Sequence, residues 1–376
     1  MTPKLAQFID SGVPATPCLI LDMDRVEENY RALRAALPDA AIYYAVKANP
    51  AAPILARLTS LGSRFDAASI EEIEQCLQAG AVAERISFGN TVKKASAIAA
   101  AHRHGVDLYA FDSMEELDKL SRFAPGAKVY CRLAVSQEGA DWPLSRKFGT
   151  TAAHARDLLI EAAARGLVPH GVSFHVGSQQ TGVGAYQSAI AQAAMVFTDL
   201  RERGIDLRLL NLGGGFPARY REDVPSFEDF GGAIMEAMCR AFGNNLPEML
   251  IEPGRAMVAD AGVVVSEVIL ACTREADEGR RWVYLDIGRF GGLAETEGEA
   301  IRYEITAPGA SGAPAPAVLA GPSCDGMDVM YRSADYRLPQ GLTAGDRVLI
   351  HGTGAYVTTY ASQGFNGFPP PREHYI

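Results

Sequence analysis

Short apolar runs alternate with amphipathic stretches between residues 41 and 254. Eight runs are rich in β-branched and aromatic residues, and the segments between them, such as Ile70–Ala79 and Ala153–Gly166, carry apolar residues at helical spacing. This alternation is typical of a parallel sheet, and eight strands favour a closed (β/α)8 barrel over a doubly wound open sheet. The predicted strands are Ile42–Val46, Arg64–Ala67, Arg85–Gly89, Asp107–Phe111, Lys128–Leu133, Gly171–Val176, Leu207–Leu212 and Met249–Glu252.

A different pattern begins after about residue 259. Short β-rich runs are separated there by Gly and Pro, and no helical spacing alternates with them, which predicts a β-sheet domain. We therefore predict an α/β protein with a (β/α)8 barrel over residues 22–258, then a C-terminal β-domain over 259–376, to whose sheet residues 1–21 add a strand. The runs are Gly262–Leu270, Arg281–Leu285, Ala317–Ala320 and Arg347–His351, and Ala307–Pro316 is predicted as a loop.

The charge and the cysteines narrow the range of functions. The chain has 35 basic and 45 acidic side chains and a formal net charge of −10, which argues against a nucleic-acid-binding surface. No apolar run reaches the ~18 residues of a membrane span, and Met1–Pro14 lacks the apolar core of a secretory signal. The six cysteines form no CxxC pair, so we predict no metal site, no disulfide framework, five cysteines in the core and a cytoplasmic location.

Reactive residues occur at the ends of four predicted barrel strands. Lys47 ends the first strand, His175 the sixth and Glu252 the eighth, while Gly213–Gly215 follows the seventh. Each has an ordinary structural explanation as well: a solvated strand end, a structural imidazole, a buried ion pair and a tight turn. Because the C-terminal strand ends of a barrel converge on one face, we expect the four to lie together.

Together these features match the needs of one cofactor. A lysine amine condenses with an aldehyde, and a glycine turn lets backbone N–H groups approach a phosphate. A flat imidazole stacks on a planar ring, and a carboxylate holds a proton on a ring nitrogen. Arg255, close behind Glu252 in the chain, adds a candidate phosphate ligand. These groups are those that pyridoxal 5′-phosphate requires, so the residues predict that cofactor.

The order of the motifs resembles that of the ornithine decarboxylase family, within the alanine-racemase-like (fold-type III) pyridoxal-phosphate decarboxylases. The resemblance runs from about Thr16 to Phe368. It implies an N-terminal barrel, a C-terminal β-domain and a head-to-tail homodimer with shared active sites. The motifs that carry it are Tyr44–Asn49, His175–Ser178, Gly213–Pro217, Glu252–Arg255, Gly321–Gly326 and Gly354–Tyr356.

The resemblance also implies a role for each residue of the cofactor site. Lys47 attaches to the cofactor aldehyde, His175 stacks on the pyridine ring, and Glu252 keeps the ring nitrogen protonated. The phosphate ligands are Ser178, Gly213, Gly214, Gly215, Arg255 and Tyr356, and Asp66 and Arg132 complete the set around the cofactor.

On the substrate side, the resemblance implies that the partner subunit supplies two residues. Asp325 binds the distal amine of a diamino acid, and Cys324 protonates the carbon that has lost CO2. Tyr356 also contacts the substrate, and Lys147 pairs with Asp328 across the dimer interface. The alternative for Cys324 is a buried small hydrophobe. The segment Phe290–Thr296 resembles the bacterial branch of the family and not the eukaryotic branch, which has an aspartate nearby that reads the distal end of the substrate. In this chain Glu295, Glu299 or neither takes that role.

We therefore predict decarboxylation of L-ornithine to putrescine in polyamine biosynthesis, with L-lysine as a possible second substrate giving cadaverine. The main alternative is meso-diaminopimelate decarboxylase, whose family has a Cys-Glu-Ser type motif where this chain has Cys324-Asp325-Gly326. Carboxynorspermidine decarboxylase is disfavoured for similar reasons, and an amino-acid racemase needs a second base. A non-catalytic decarboxylase-like regulator is disfavoured because the cofactor residues are present.

Overall fold

The computed structural model describes residues 1–12, 15–142 and 147–376. Contacts between residues divide the chain into two compact units. We call them the barrel unit, Glu27–Pro217 with Val224–Met257, and the sheet unit, Met1–Val26 with Ala218–Asp223 and Val258–Ile376. The sheet unit therefore draws on three separate stretches of sequence.

The barrel unit is built on eight parallel strands that close on themselves. Each strand pairs with its neighbours in chain order, and closure comes from the eighth strand, which pairs in parallel with the first at Met249 and Ala40. The prediction of a closed (β/α)8 barrel, as opposed to an open sheet, is confirmed. The barrel strands are Ala40–Ala45, Arg64–Ala67, Ile86–Phe88, Leu108–Phe111, Lys128–Arg132, Val168–Ser173, Leu209–Asn211 and Glu248–Ile251.

Serine caps begin several of the helices that connect these strands. Ser69, Ser113 and Ser226 each accept a hydrogen bond from the backbone N–H three residues further on, which satisfies a donor that the first helical turn leaves unpaired. At Ser226 the bond is reciprocal and forms a complete capping box with Asp229. The α-helices of this region are Met23–Ala36, Ala52–Ser60, Ile70–Gln78, Ala95–Arg103, Met114–Phe123, Ala152–Ala164, Gly184–Arg201, Phe227–Phe242 and Arg255–Val258.

Apolar side chains fill the interior of the barrel. One buried cluster joins Tyr43, Tyr130, Leu209 and Leu250 with Ala110, all of them on barrel strands. The hydroxyl of Tyr130 also shares a hydrogen bond of 2.9 Å with Ser87, so its polar end has a partner inside the barrel. This filled interior leaves the C-terminal strand ends as the place for chemistry.

The sheet unit is organised around one long strand, Gly262–Arg274. It pairs with Cys18–Leu21, Arg280–Leu285 and Arg347–His351, and Cys18–Leu21 in turn pairs in parallel with Arg372–Tyr375. The remaining strands of this sheet are Ile305–Thr306, Val318–Ala320 and Val329–Tyr331.

Two segments of the sheet unit differ from the prediction. The end of the predicted loop, Pro314–Pro316, is a short strand that pairs with Arg337–Pro339. A separate ladder of two strands tolerates proline, which lacks the N–H that a central strand needs. Pro3–Asp10 is a helix that we did not predict, although Thr2 caps it and proline stands at its start.

The cysteines also depart from expectation. Cys18, Cys76 and Cys131 are buried, but Cys239 is exposed and Cys272 is half-buried. The prediction that five cysteines lie in the core was therefore wrong. Cys239 lies on a surface helix, and Cys272 lies in the second half of a long strand whose end is exposed to solvent. Among the residues described, no helix is long and apolar enough to cross a membrane, and no group of three or more His, Cys, Asp or Glu side chains is placed to hold a metal ion.

Candidate active site

Lys47 lies on a short 3-10 turn, Val46–Ala48, directly after the first barrel strand. Its side chain is 45% exposed, and its Nζ is 3.4 Å from Oδ2 of Asp66 on the second strand. Asp66 itself is buried, and its other oxygen, Oδ1, has no hydrogen-bond partner within the described chain. The pair thus presents an accessible amine backed by a buried carboxylate.

The glycine turn after the seventh strand can be formed only without side chains. Gly213 and Gly215 have φ angles of +68° and +108°, in the left-handed region that favours glycine. A Cβ on Gly213 would lie 2.1 Å from the carbonyl oxygen of Phe174, and one on Gly214 would lie 2.6 Å from that of Glu252. The turn therefore brings bare backbone close to the ends of the neighbouring strands, as a phosphate site requires.

Ser178 and Arg255, far apart in sequence, meet in the barrel unit. Arg255 is buried at the start of a short helix, and its Nε and Nη2 lie 3.3 Å and 3.1 Å from Oγ of Ser178. A buried guanidinium beside a half-buried hydroxyl group at the C-terminal end of a barrel suits a phosphate. Two of the predicted phosphate ligands are thus in contact with each other.

His175 is held as a neutral ring. Its Nδ1 accepts a hydrogen bond of 3.1 Å from the N–H of Gly177, which places the proton of the neutral ring on Nε2. Burial, with Arg132 and Lys47 nearby, lowers the pKa of His175 well below its ordinary value. A neutral, flat imidazole suits stacking on a pyridine ring better than it suits binding an anion.

Glu252 follows the eighth strand and is the most perturbed carboxyl group of the site. Burial, reinforced by the charge of Asp66, raises the pKa of Glu252 to about 7, while Lys47, a hydrogen bond from Asn211 and Arg132 act in the opposite direction. The Nδ2 of Asn211 is 2.5 Å from Oε1 of Glu252. Such a carboxylate can form a hydrogen-bonded ion pair with a cationic ring N–H.

Arg132 and Glu72 also border this group of residues. The guanidinium carbon of Arg132, at the end of the fifth strand, lies 5.4 Å from the ring centroid of Phe148, and the exposed Lys147 lies 5.0 Å from the same ring. Glu72, whose N–H donates to the capping Ser69, accepts a hydrogen bond from the N–H of Ala68. Burial raises the pKa of Glu72, and Lys47 counteracts that rise, so Glu72 is within electrostatic range of the site.

The residues present fit pyridoxal phosphate. Bare backbone at Gly213–Gly215 with Arg255 and Ser178 suits its phosphate, and Glu252 suits its ring nitrogen. The unpartnered, buried Oδ1 of Asp66 beside an accessible lysine amine leaves a polar atom for a bound group to satisfy.

The predicted substrate residues Cys324 and Asp325 lie in the sheet unit, in the connection between the strands Val318–Ala320 and Val329–Tyr331. Both are exposed within the described chain, so the alternative of a buried small hydrophobe at Cys324 was wrong. The N–H of Cys324 donates to Oδ1 of Asn366, and Oδ1 of Asp325 accepts from the N–H of Met327. The connection is therefore shaped by its own hydrogen bonds, with both reactive side chains facing solvent.

The two acidic candidates for reading substrate length have different surroundings. The carboxylate of Glu299 accepts hydrogen bonds of 2.6, 2.7 and 2.8 Å from the N–H groups of Arg332, Ser333 and Ala334, so it clamps a loop. Glu295 is buried on the segment Ala294–Glu299. The three backbone donors give Glu299 a structural role in its own loop, and the role of Glu295 stays a prediction.

Tyr356 and Asp328 also lie in the sheet unit. Tyr356 has a φ angle of +57°, and its ring centroid lies 5.6 Å from that of Tyr360. Asp328 is buried, and its two oxygens accept hydrogen bonds from the N–H groups of Arg289 and Ser323. Asp328 thus shapes its own loop, and its pairing with Lys147 of a second subunit stays a prediction.

Comparison with known proteins identifies the family. The family model described as pyridoxal-dependent decarboxylase, pyridoxal binding domain, matches residues 23–259. The chain belongs to this family. The prediction of a pyridoxal-phosphate enzyme is thereby confirmed, and the match covers the barrel strands and the residues that surround Lys47.

Individual relatives in the pyridoxal-dependent decarboxylase family are similar over most of their length. Lysine/ornithine decarboxylase of Selenomonas ruminantium is 38% identical over 370 residues, which cover 98% of this chain and 91% of that protein. A crystal structure of lysine decarboxylase from the same organism has a TM-score of 0.89 at 35% identity, covering 100% of this chain and 96% of that one. The lysine/ornithine decarboxylase of Vibrio vulnificus complexed with cadaverine has a TM-score of 0.90 at 31% identity, covering 100% and 99%.

Proposed function

We propose that this chain decarboxylates L-ornithine to putrescine and L-lysine to cadaverine. The observation that carries the proposal is the group of residues formed in the barrel unit by Lys47, Asp66, His175 and Glu252. Relatives named lysine/ornithine decarboxylase, one of them complexed with putrescine, support the choice of substrates. The exposed Cys324-Asp325 pair supports a diamino acid in particular, because a carboxylate suits a distal ammonium group.

When bound, pyridoxal phosphate supplies an electron-withdrawing ring that takes up the electron pair released as the substrate loses CO2. Lys47 binds the cofactor aldehyde through its amine, and Asp66 orients that amine from behind. Glu252 holds a proton on the ring nitrogen, which keeps the ring electron-poor. His175 offers a neutral flat face to the ring. Ser178 and Arg255 bind the phosphate with the glycine turn.

We also propose that a second subunit supplies residues to the active site. In a head-to-tail homodimer, Cys324 and Asp325 of one subunit face the barrel site of the other, and Lys147 pairs with Asp328 across the interface. Asp325 binds the distal ammonium group, Tyr356 contacts the substrate and the phosphate, and Cys324 delivers a proton to the carbon that has lost CO2. Solvent exposure of Cys324 and Asp325 in the single chain supports this arrangement.

Glu295, on the segment that resembles the bacterial branch of the family, is proposed to set the preferred length of the substrate. We further propose that the enzyme works in the cytoplasm, where ornithine and lysine are available. A meso-diaminopimelate decarboxylase is disfavoured, because the distal group of that substrate carries a carboxylate that Asp325 would repel.

The deciding experiment identifies the products formed from ornithine, lysine and diaminopimelate side by side by the purified enzyme with pyridoxal phosphate. We expect putrescine and cadaverine, and no lysine from diaminopimelate. Lys47→Ala is the matched control and should form none of them. Release of CO2 from diaminopimelate alone, or from none of the three, would overturn the proposal.

A further inference from the structure

Asn211 links two parts of the cofactor site that contact opposite ends of the cofactor. It is the last residue of the seventh barrel strand and is fully buried. Its Nδ2 lies 2.5 Å from Oε1 of Glu252, and its Oδ1 accepts a hydrogen bond of 2.8 Å from the N–H of Gly213. One side chain therefore contacts both the carboxylate expected at the ring nitrogen and the first glycine of the phosphate turn.

We propose that Asn211 is a positioning residue that couples the glycine turn to Glu252, orienting the turn with its amide oxygen and the carboxylate with its amide nitrogen. The proposal deepens the proposed function, since it assumes that pyridoxal phosphate occupies this site. It assigns no contact between Asn211 and the cofactor or substrate.

The chemistry of the amide explains why this residue suits the task. An amide offers a donor and an acceptor at opposite corners of one planar group, whereas an ionised carboxylate offers acceptors only. A backbone hydrogen bond joins the same two segments, because the N–H of Glu252 donates to the carbonyl oxygen of Gly213 at 2.8 Å. The N–H of Gly213 is directed at Asn211, so Asn211 fixes the first residue of the glycine turn.

The charges around Glu252 make the donated N–H important. Asp66 is the nearest like charge, and Lys47 and Arg132 are the compensating cations. Tyr130, inside the barrel, is also within electrostatic range of Glu252. Removing a donor from a buried carboxylate favours its protonated form, and a new carboxylate in the same place favours it further.

The experiment compares Asn211→Asp with Asn211→Ala in the cofactor-free enzyme. Asn211→Asp keeps the shape and the acceptor for Gly213 but loses the N–H donated to Glu252, whereas Asn211→Ala loses both. The matched control is Asn29→Asp, another buried asparagine of the barrel unit, whose Nδ2 donates to the carbonyl oxygen of Met257. The readouts are the ionisation of Glu252, followed by carboxyl infrared bands assigned with Glu252→Gln, and the affinity for inorganic phosphate.

We expect Asn211→Asp to raise the pH midpoint of Glu252 ionisation by at least about one unit while leaving phosphate affinity within about twofold. Asn211→Ala should raise the midpoint less and weaken phosphate binding roughly tenfold, as expected for the loss of an orienting hydrogen bond. Asn29→Asp should change neither. If Asn211→Ala does not fold, Asn211→Leu, which is close in size and has no polar atoms, takes its place.

An unchanged Glu252 midpoint in folded Asn211→Asp would overturn the link to the carboxylate. Wild-type phosphate affinity in Asn211→Ala or Asn211→Leu would overturn the link to the turn. Neither readout involves turnover, so the proposal can fail or hold independently of whether ornithine and lysine are the substrates.

Discussion

The two units treat their reactive residues in opposite ways. In the barrel unit, Asp66 and Arg255 are only 4% and 3% exposed, and the neighbouring reactive groups are hydrogen-bonded or ion-paired to one another. In the sheet unit, Cys324 and Asp325 are exposed on a connection between two short strands. The contrast indicates that the barrel unit holds a preorganised cofactor site, whereas the exposed pair of the sheet unit is accessible for the contact between subunits that we propose.

The sharpest test of the barrel half of this comparison is Lys47→Ala. Turnover should fall by roughly three orders of magnitude or more, because no other amine replaces the nucleophile, while the fold is retained. Borohydride reduction of the native enzyme followed by peptide mapping should label Lys47. The buried Lys93, whose amine is ion-paired with Glu116, serves as an internal control and should stay unlabelled. Labelling at any other lysine contradicts the assignment.

On the sheet side, Cys324→Ala should lower kcat by about a hundredfold or more, with little change in substrate binding, because the thiol acts after CO2 has left. Without it, protonation at the cofactor carbon followed by hydrolysis would release part of the product as an aldehyde and leave the amino group on the cofactor as pyridoxamine phosphate. The ratio of aldehyde to diamine, measured by chromatography, checks this. Cys239→Ala, at another exposed cysteine, is the control. A normal diamine yield at the native rate would leave Cys324 without a catalytic role.

A smaller effect is expected for Asp325→Asn, which should raise KM for ornithine about thirtyfold. A charge-assisted contact to the distal ammonium contributes about 2 kcal/mol, and the amide keeps the shape without the charge. Steady-state kinetics with ornithine and lysine measure the change, and Asp335→Asn provides an exposed acidic control in the same unit. An unchanged KM for both substrates would remove Asp325 from the substrate site.

The raised pKa of Glu252 predicts a pH dependence for the barrel unit alone. Below about pH 7 the free carboxyl group is protonated, and that proton must leave before Glu252 can pair with a protonated ring nitrogen. Cofactor affinity should therefore fall as the pH drops below 7, by up to about tenfold per unit, and be level just above it. Titration of the cofactor-free enzyme between pH 6 and 8 checks this. Glu252→Gln should abolish the dependence, and a slope that survives in that variant has another origin.

The smallest expected effect comes from a test of the shared active site, in which Lys47 of one subunit acts with Cys324 of the other. In the proposed dimer, neither the Lys47→Ala nor the Cys324→Ala homodimer should be fully active, but random exchange of subunits should give heterodimers with one intact site. About a quarter of all sites in an equal mixture should then be native. Activity assays after mixing and re-equilibration measure the recovery, with unmixed variants as the baseline. If nothing above the baseline returns, the shared site is excluded.

Much of the barrel could be predicted from sequence because its signals are local. Alternating strands and helices fix the eight strands, and their C-terminal ends select Lys47, His175 and Glu252 without any knowledge of packing. Asn211 was missed because it lies inside an apolar run, Leu209 to Leu212, and only tertiary structure shows which neighbours its side chain meets. A lone asparagine in such a run is the signal that was available, since a buried amide needs partners.

The sheet unit was harder to predict, because its pairings are non-local. No local pattern indicates that Cys18–Leu21 pairs with Arg372–Tyr375, which lies more than 350 residues further along the chain. Spacing also gave no sign that Glu299 binds a later loop, because that depends on where three backbone N–H groups of the loop point. Contacts of this kind come from the closed fold and leave no trace in periodicity.

The placement of the strand Cys18–Leu21 also affects the order of events on the ribosome. This strand emerges early, yet both its neighbours in the sheet, Gly262–Arg274 and Arg372–Tyr375, are synthesised much later. At ordinary translation rates it waits roughly 10 to 50 seconds for the first of them. The eight barrel strands are all complete before then, so the barrel can close while this early segment is still unpaired. An apolar strand with open edges is a binding site for chaperones during that interval, and its exposure time increases with every pause in synthesis before residue 262.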